Sequence, residues 1–442
     1  MTSGIATVVF ALGILGLFLL DRDRKSRVSP ALWIPVAWLL LAGSRMVSEW
    51  LEPVRAIELP DQLLEGNPLN RLILTGLLAA GAMVLLARGR RAGTFLRANG
   101  PILLFFLYCA ISVLWSDYPD VAFRRWTRAV ADVVMVLVVL TDPDPSAAVK
   151  RLLARSGFLL IPVSVLLIKY YPDLGRAYGP WTWTTYYTGV ATGKNGLGYV
   201  CLAFGLASLW RVLEALRGRE DVRRAGPLIA HGTALAMVLW LFWKADSATS
   251  LGCFFIGASL IGIMSLSGLA RKPTTVHLLV GTLLLLSLSS LFLNAGTDLV
   301  EAMGRDMTLT GRTLIWRQVL RMTVDPLFGA GFESFWLGER LEKFWRIYWW
   351  HPNQAHNGYL EVFLNLGWTG MALLGFVMVW GYRNVIGTLR RDPEAGGLRL
   401  AYFVVAAVYN LTEAAFKGFH LVWIVCLLAI TVVPEPSSRE DG

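Results

Sequence analysis

Apolar runs of about 14–20 residues recur along the whole 442-residue chain with only short polar breaks, a pattern that suits a lipid bilayer better than a soluble core. They fall at roughly 2–20, 31–44, 72–87, 101–115, 129–141, 157–171, 195–213, 227–243, 249–268, 275–294, 358–381, 400–412 and 419–433. Several are shorter than the ~20 residues that cross a ~30 Å hydrocarbon layer, so flanking residues must complete them. The expected fold is all-α, a polytopic transmembrane bundle of about 12–13 helices. Composition agrees: 55% of residues are hydrophobic and only 16% charged, well outside the soluble range, so one bundle replaces the two or three soluble domains that length alone suggests. The first run lacks a small-residue cleavage site and is followed by "DRDRKSR", which reads as a retained helix and not a signal peptide.

Orientation follows from the basic residues. Alternate short loops (21–30, 88–97, 142–155, 211–226, 269–274, 382–399) hold 22 Lys and Arg, against 11 in the short loops between them (45–71, 116–128, 169–194, 244, 413–418). The richer set is expected in the cytoplasm. The C-terminus is then inside and the long segment before residue 358 outside. The +10 net charge therefore reflects topology and not a nucleic-acid surface. All four cysteines lie within apolar runs, so no structural disulfide is expected. No inverted repeat of the transporter type is visible. The expected organisation is an N-terminal bundle at 1–294, a long periplasmic loop at 295–357, C-terminal helices at 358–433 and a disordered tail at 434–442.

Within the long loop, "TGRTLIWRQVLRMTVDP" sets Leu314, Ile315, Val319 and Met322 near one helical face, and Asp325–Pro326 ends the helix. "LGERLEKFWRIYWW" repeats the arrangement with Leu337, Leu341, Phe344, Trp345 and Tyr348. Both are read as interfacial helices, apolar side down, with Trp349 and Trp350 at headgroup depth, together forming a lid over the bundle.

The segment "HPNQAHNGYLEVFLNLGWTG" holds two of the five histidines, His351 and His356. Asn357 or the polar run before it can cap the helix that follows, and Gly367 and Gly370 would let a neighbouring helix approach closely. Glu361 and Asn365, four apart, make a polar stripe that must face the protein interior or a wet cavity. His356 then sits at the mouth of that cavity, either as a chemical group or as an amphipathic anchor. A metal site is disfavoured, because His351 and His356 lack helical ligand spacing and no cysteine or close carboxylate completes a set. Arg305 and Arg312 bracket "DMTLTG", where an arginine fork suits a diphosphate, whereas Arg317, Arg321 and Arg346 read as contacts to lipid headgroups. Arg124, Arg125 and Lys194 add positive charge from other outside loops, which suggests an anionic substrate.

"GRTLIWRQVLRMTVDPLFGAGFESFW" followed by "HNGYLEVFLNLGWTG" resembles the long-loop signature of the bacterial O-antigen ligase and O-antigen polymerase superfamily, including its exopolysaccharide-production branch. "SVLWSDYPDVAFRR", "TGKNGLGYV", "DSATS" and "NLTEAAF" resemble weaker blocks of the same family. The resemblance implies a membrane glycosyltransferase that moves a glycan from undecaprenyl diphosphate to an acceptor hydroxyl on the periplasmic side, without cofactor, nucleotide sugar or metal. The acceptor would be a lipid A core or other surface carrier for a ligase, or another lipid-linked glycan for a polymerase. His356 takes the place of the family's histidine and Arg312 that of its long-loop arginine, with Arg305, Lys194, Arg124, Arg125, Asn357 and Glu361 as substrate contacts. Many members carry a basic residue where this chain has Ala248, and Lys244 or Lys194 would have to substitute. In the implied inverting displacement, arginines neutralise the leaving diphosphate while His356 accepts the hydroxyl proton, with Glu361 or Asn357 orienting its other nitrogen. The rival reading is a transporter of lipid-linked or anionic solutes.

Overall fold

A computed structural model describes residues 1–23, 27–52, 64, 66–178, 184–217, 225–265, 272–292, 308–348 and 350–434. Among them thirteen helices coincide with the thirteen apolar runs: α1 Ser3–Leu20, α2 Trp33–Ala42, α3 Pro68–Ala87, α4 Gly100–Ile111, α5 Pro119–Leu140, α6 Pro145–Tyr170, α7 Lys194–Arg217, α8 Ala225–Ala245, α9 Ala248–Ser265, α10 Pro273–Phe292, and, beyond two helices of the long loop, α13 Gly358–Arg391, α14 Pro393–Thr412 and α15 Leu421–Ile430. The loop helices are α11, Thr308–Arg321, and α12, Gly338–Ile347. One short antiparallel pair, β1 Arg176–Tyr178 with β2 Thr185–Tyr187, is the sheet among the described residues. The chain is a multi-pass helical membrane protein: eight of these helices are long and apolar enough to cross a bilayer unaided, and the others complete the bundle as shorter, bent or more polar elements.

Helices α6, α7 and α14 are largely surrounded by protein, whereas α1 and α3 present most of their surface outward, as lipid-facing helices do. The short α15 is buried along its whole length, so its ten residues need not span the hydrocarbon against lipid. Helix α5 begins ten residues before its apolar run, and its first turns carry Arg124 and Arg125, which donate to the carbonyls of Leu64 and Glu333.

The polar loops sort to opposite ends. At one end Asp21 pairs with Arg211 at 3.3 Å, Arg88 with Asp142 at 3.3 Å, and the Trp210 indole donates to the Glu394 carbonyl. At the other end Arg340 pairs with Asp117 at 2.6 Å, the Asn70 amide donates to Ser48, and Arg45 reaches Thr188. Each end gathers one of the two alternating loop sets.

The loop helices depart from the expected arrangement. Their buried apolar residues close a small core of Ile315, Val319, Phe335, Leu341 and Phe344, to which α13 contributes Leu364. Leu314, expected on the buried face, is 52% exposed, because its neighbour Ile315 sets the phase of that face. Trp350 is exposed, and Trp349 lies outside the described residues, as does the tail from 435.

This lid is joined to the bundle by a break in α13. Gly367, at φ 64°, interrupts the helix, and the freed amides of Trp368 and Thr369 donate to the carbonyls of Pro326 (2.9 Å) and Leu327 (3.1 Å). A Cβ at Gly367 would lie 2.3 Å from the Leu327 carbonyl group, and one at Gly329 would lie 2.4 Å from the Asn365 carbonyl carbon. The close approach expected at Gly367 is therefore to a lid turn and not to a neighbouring helix. At Gly370 an added Cβ would meet Leu366 of its own helix, so no interhelical contact explains it.

Candidate active site

Where the lid returns to the membrane, the chain makes a tight turn before α13. His356 adopts a left-handed φ of 51°, and Asn357 caps the helix by accepting from the Leu360 amide at 2.9 Å. The turn is held from beneath by Glu361, whose carboxylate accepts from the Ala355 amide and from the Trp336 indole at 2.9 Å, while the Trp316 indole donates to the Ala355 carbonyl at 2.8 Å. Glu361 thus supports the turn that presents His356 and does not orient the imidazole. Asn365, one turn on, is buried and accepts from the Phe335 amide, so the expected polar stripe faces inward and is satisfied.

The imidazole is oriented by Glu413, at the outer end of α14. Its Oε2 lies 3.1 Å from His356 Nδ1, and its Oε1 accepts from Arg312 Nη2 and Asn195 Nδ2, each at 3.2 Å. Arg312 also donates to the Thr412 carbonyl through Nη1. Two of the five guanidinium donors are so engaged, and the other three have no partner among the described residues. In the neutral tautomer that donates Nδ1–H to Glu413, Nε2 carries the lone pair.

The segment that carries Glu413 is clamped. Buried Asn410 accepts from the amides of Ala415 and Phe416, Glu333 from that of Gly418, and buried Asp132 from that of Phe419. Gly358 packs so closely on Asn410 that a Cβ there would lie 1.8 Å from the amide oxygen, and its own amide donates to the Glu413 carbonyl at 3.0 Å. Four side-chain and backbone anchors therefore fix a carboxylate that already has three partners, which is the preorganisation that proton transfer requires.

The other expected site residues are dispersed. Lys194, next to Asn195, is 3.9 Å from Asp246. Lys244, weighed as a substitute for the basic residue absent at Ala248, stacks over Trp243 instead of reaching this cluster. Arg124 donates to the Leu64 carbonyl and Arg125 to that of Glu333, away from the His356–Glu413 pair. Arg305 lies outside the described residues. His351 stacks on Trp345 with ring centroids 4.6 Å apart and stays clear of Glu413. Among the described residues no three of His, Cys, Asp and Glu converge as a metal would require. Sequence reasoning missed Glu413. The signal was a carboxylate directly after an apolar helical run, in "NLTEAAF", where an ionised group at the edge of the membrane needs a partner.

An apolar groove of about 1170 Å³ opens beside this cluster. It begins at Trp316, Asn357 and Leu411, runs between α10, α13 and α14, and ends at Arg383 and Arg390.

Residues 223–375 match the family described as O-antigen ligase, a stretch that holds Arg312 and His356. That part of the chain resembles the O-antigen ligase family. It is also 25% identical over 313 residues, 66% of this chain and 67% of the relative, to the exopolysaccharide production protein ExoQ of Rhizobium meliloti (strain 1021). O-antigen ligase superfamily members are glycosyl-transferring enzymes, and this similarity sets the class of chemistry in which the cluster is to be read. Glu413 lies beyond the residues matched to the O-antigen ligase family, so its place at the site rests on geometry alone.

Proposed function

We propose that this protein is a metal-independent, inverting glycosyltransferase that moves a glycan from undecaprenyl diphosphate to an acceptor hydroxyl at the periplasmic face of the inner membrane. The observation that carries this reading is the His356–Glu413–Arg312 cluster at the head of an apolar groove. A polyprenyl tail suits the groove, and its diphosphate would then lie at the end lined by Asn357, towards Arg312. His356 Nε2 accepts the proton of the acceptor hydroxyl as its oxygen bonds to the anomeric carbon, and the bond from that carbon to the diphosphate oxygen breaks. Glu413 stabilises the imidazolium that forms, while the free donors of Arg312 meet the charge gathering on the diphosphate. Purified protein given lipid-linked donor and acceptor should release undecaprenyl diphosphate and form product in the presence of a chelator. Translocation of the donor without release would favour transport instead.

The similarity to an exopolysaccharide production protein favours a second reading, in which the acceptor is another lipid-linked glycan and the product a polymer, over transfer to a lipid A core. Glycan sizing in a deletion strain separates the two. Loss of a polymerase leaves single repeats attached to the final carrier, and loss of a ligase leaves full chains on the lipid.

Arg312→Lys keeps the charge and loses the planar fork. It is expected to lower the transfer rate about tenfold or more at unchanged protein level, the loss of part of a charge-assisted contact. Wild-type rates would return Arg312 to a purely structural role with Thr412. Sidedness has its own test. Glu339, on α12, has a side chain 85% exposed, and all four native cysteines are buried, so Glu339→Cys should react with an impermeant thiol reagent in cells whose outer membrane alone is permeabilised. Reaction only after rupture of the inner membrane would invert the topology.

A further inference from the structure

His356 and Glu413 stand between two openings of opposite character. Asn357 and Leu411 line the apolar groove, whereas Gln354 and Ala414, on the other side of the pair in each segment, line a recess of about 510 Å³. That recess combines aromatic surface from Trp336 and Phe416 with the amides of Asn353 and Gln354, the mixture that sugar rings favour, and its volume lies within the range of small-ligand pockets. Gln354, on the recess wall, has its Nε2 3.5 Å from His356 Nδ1, so the recess lies next to the His356 ring.

Its charges are unequally satisfied. The two carboxylates are engaged: Glu361 by the Trp336 indole and the Ala355 amide, Glu333 by the Gly418 amide. The cations meet no carboxylate within 4 Å among the described residues. Exposed Lys417 reaches only the Gln354 amide oxygen, at 3.5 Å, exposed Arg128 lies 5.9 Å from the centroid of the Phe419 ring, and Arg125 donates to a backbone carbonyl. At the same end of the bundle Arg312, Arg340 and Lys194 each have a carboxylate partner. Arg125 and Arg128 also line a second recess of about 500 Å³, with Arg124 and Arg71. Arg128 and Lys417, exposed at the recess and without a carboxylate in ion-pair contact among the described residues, are placed to meet an anion.

We propose that the recess is the acceptor subsite and that it takes an acidic glycan, with Arg128 and Lys417 reading a carboxylate or phosphate substituent on the sugar. This rests on the transfer reading above. The test uses the full-length protein in lipid nanodiscs and follows binding by tryptophan fluorescence and native mass spectrometry. Tri-galacturonate serves as the carboxylate probe, its methyl ester as the neutral comparator, glucose 6-phosphate against glucose as the phosphate arm, and inorganic diphosphate as the probe of the donor site. At least one acidic sugar should bind about tenfold or more tighter than its neutral counterpart, R128Q/K417Q should abolish that preference, and R128K/K417R should keep it. Diphosphate binding should be unchanged in R128Q/K417Q. Equal binding of acidic and neutral sugars by the wild type, or a preference that survives in R128Q/K417Q, would overturn the proposal. So would loss of diphosphate binding in R128Q/K417Q, which would assign these cations to the donor. Failure of the transfer reading shows separately, as diphosphate binding that is indifferent to R312Q.

Discussion

His356→Asn is expected to lower glycan transfer by ~10²–10⁴-fold, the usual consequence of removing a general base, while leaving the protein folded and inserted. Asparagine is the informative substitution because His356 holds a φ of 51°, which asparagine tolerates better than alanine, so lost activity is not confounded by a strained turn. Glu413→Gln should cost on the order of tenfold to a hundredfold, since the amide can still accept from Nδ1–H but no longer stabilises the imidazolium. His351→Asn, at a φ of 50°, removes a ring that stacks on Trp345 and touches no member of the cluster, and should change the rate only a few-fold. The measurement is product formation from purified lipid-linked donor and acceptor, with and without chelator. Full activity of His356→Asn would reject the base assignment. Equal loss from both histidine variants together with chelator sensitivity would replace it by a two-histidine metal site.

Gly367→Ala is expected to destroy the fold and not merely the activity. A left-handed φ of 64° at a residue with a Cβ costs about 1–3 kcal/mol by itself. The added carbon would also lie 2.3 Å from the Leu327 carbonyl, so the lid turn or the helix break must give way. The detergent-solubilised variant should lose its monodisperse peak or unfold at a markedly lower temperature. Gly375→Ala, on the same helix with nothing within 4 Å of its added Cβ, is the control and should behave as wild type. A wild-type melting profile for Gly367→Ala would show that the lid is not anchored there.

The membrane helices were legible because their burial is written in consecutive residues: thirteen apolar runs became thirteen helices. Boundaries failed where a polar residue found a tertiary partner, as at the start of α5, whose arginines meet carbonyls that no local pattern announces. The same reason hid the carboxylate of the site. Glu413 is 57 residues from His356, and only the packing of α14 against α13 brings them together. Glu361, nearer in sequence and of the right chemistry, was the natural choice, yet one helical turn carries it below the imidazole to Trp336 and the Ala355 amide. Ile315 and Val319 are buried as helical periodicity predicts, but periodicity could not say that the face they share would meet α12 and Leu364 instead of lipid.

The break in α13 bears on how a bulky lipid-linked molecule could come and go. Trp368 and Thr369 have their amides satisfied by the lid, so raising the lid would strand two peptide donors in hydrocarbon, at several kcal/mol apiece. That cost holds the Pro326–Leu327 turn against α13. Under the proposed function, a donor's lipid tail would then reach the groove sideways, from the plane of the bilayer between α10 and α13, with that turn left in place.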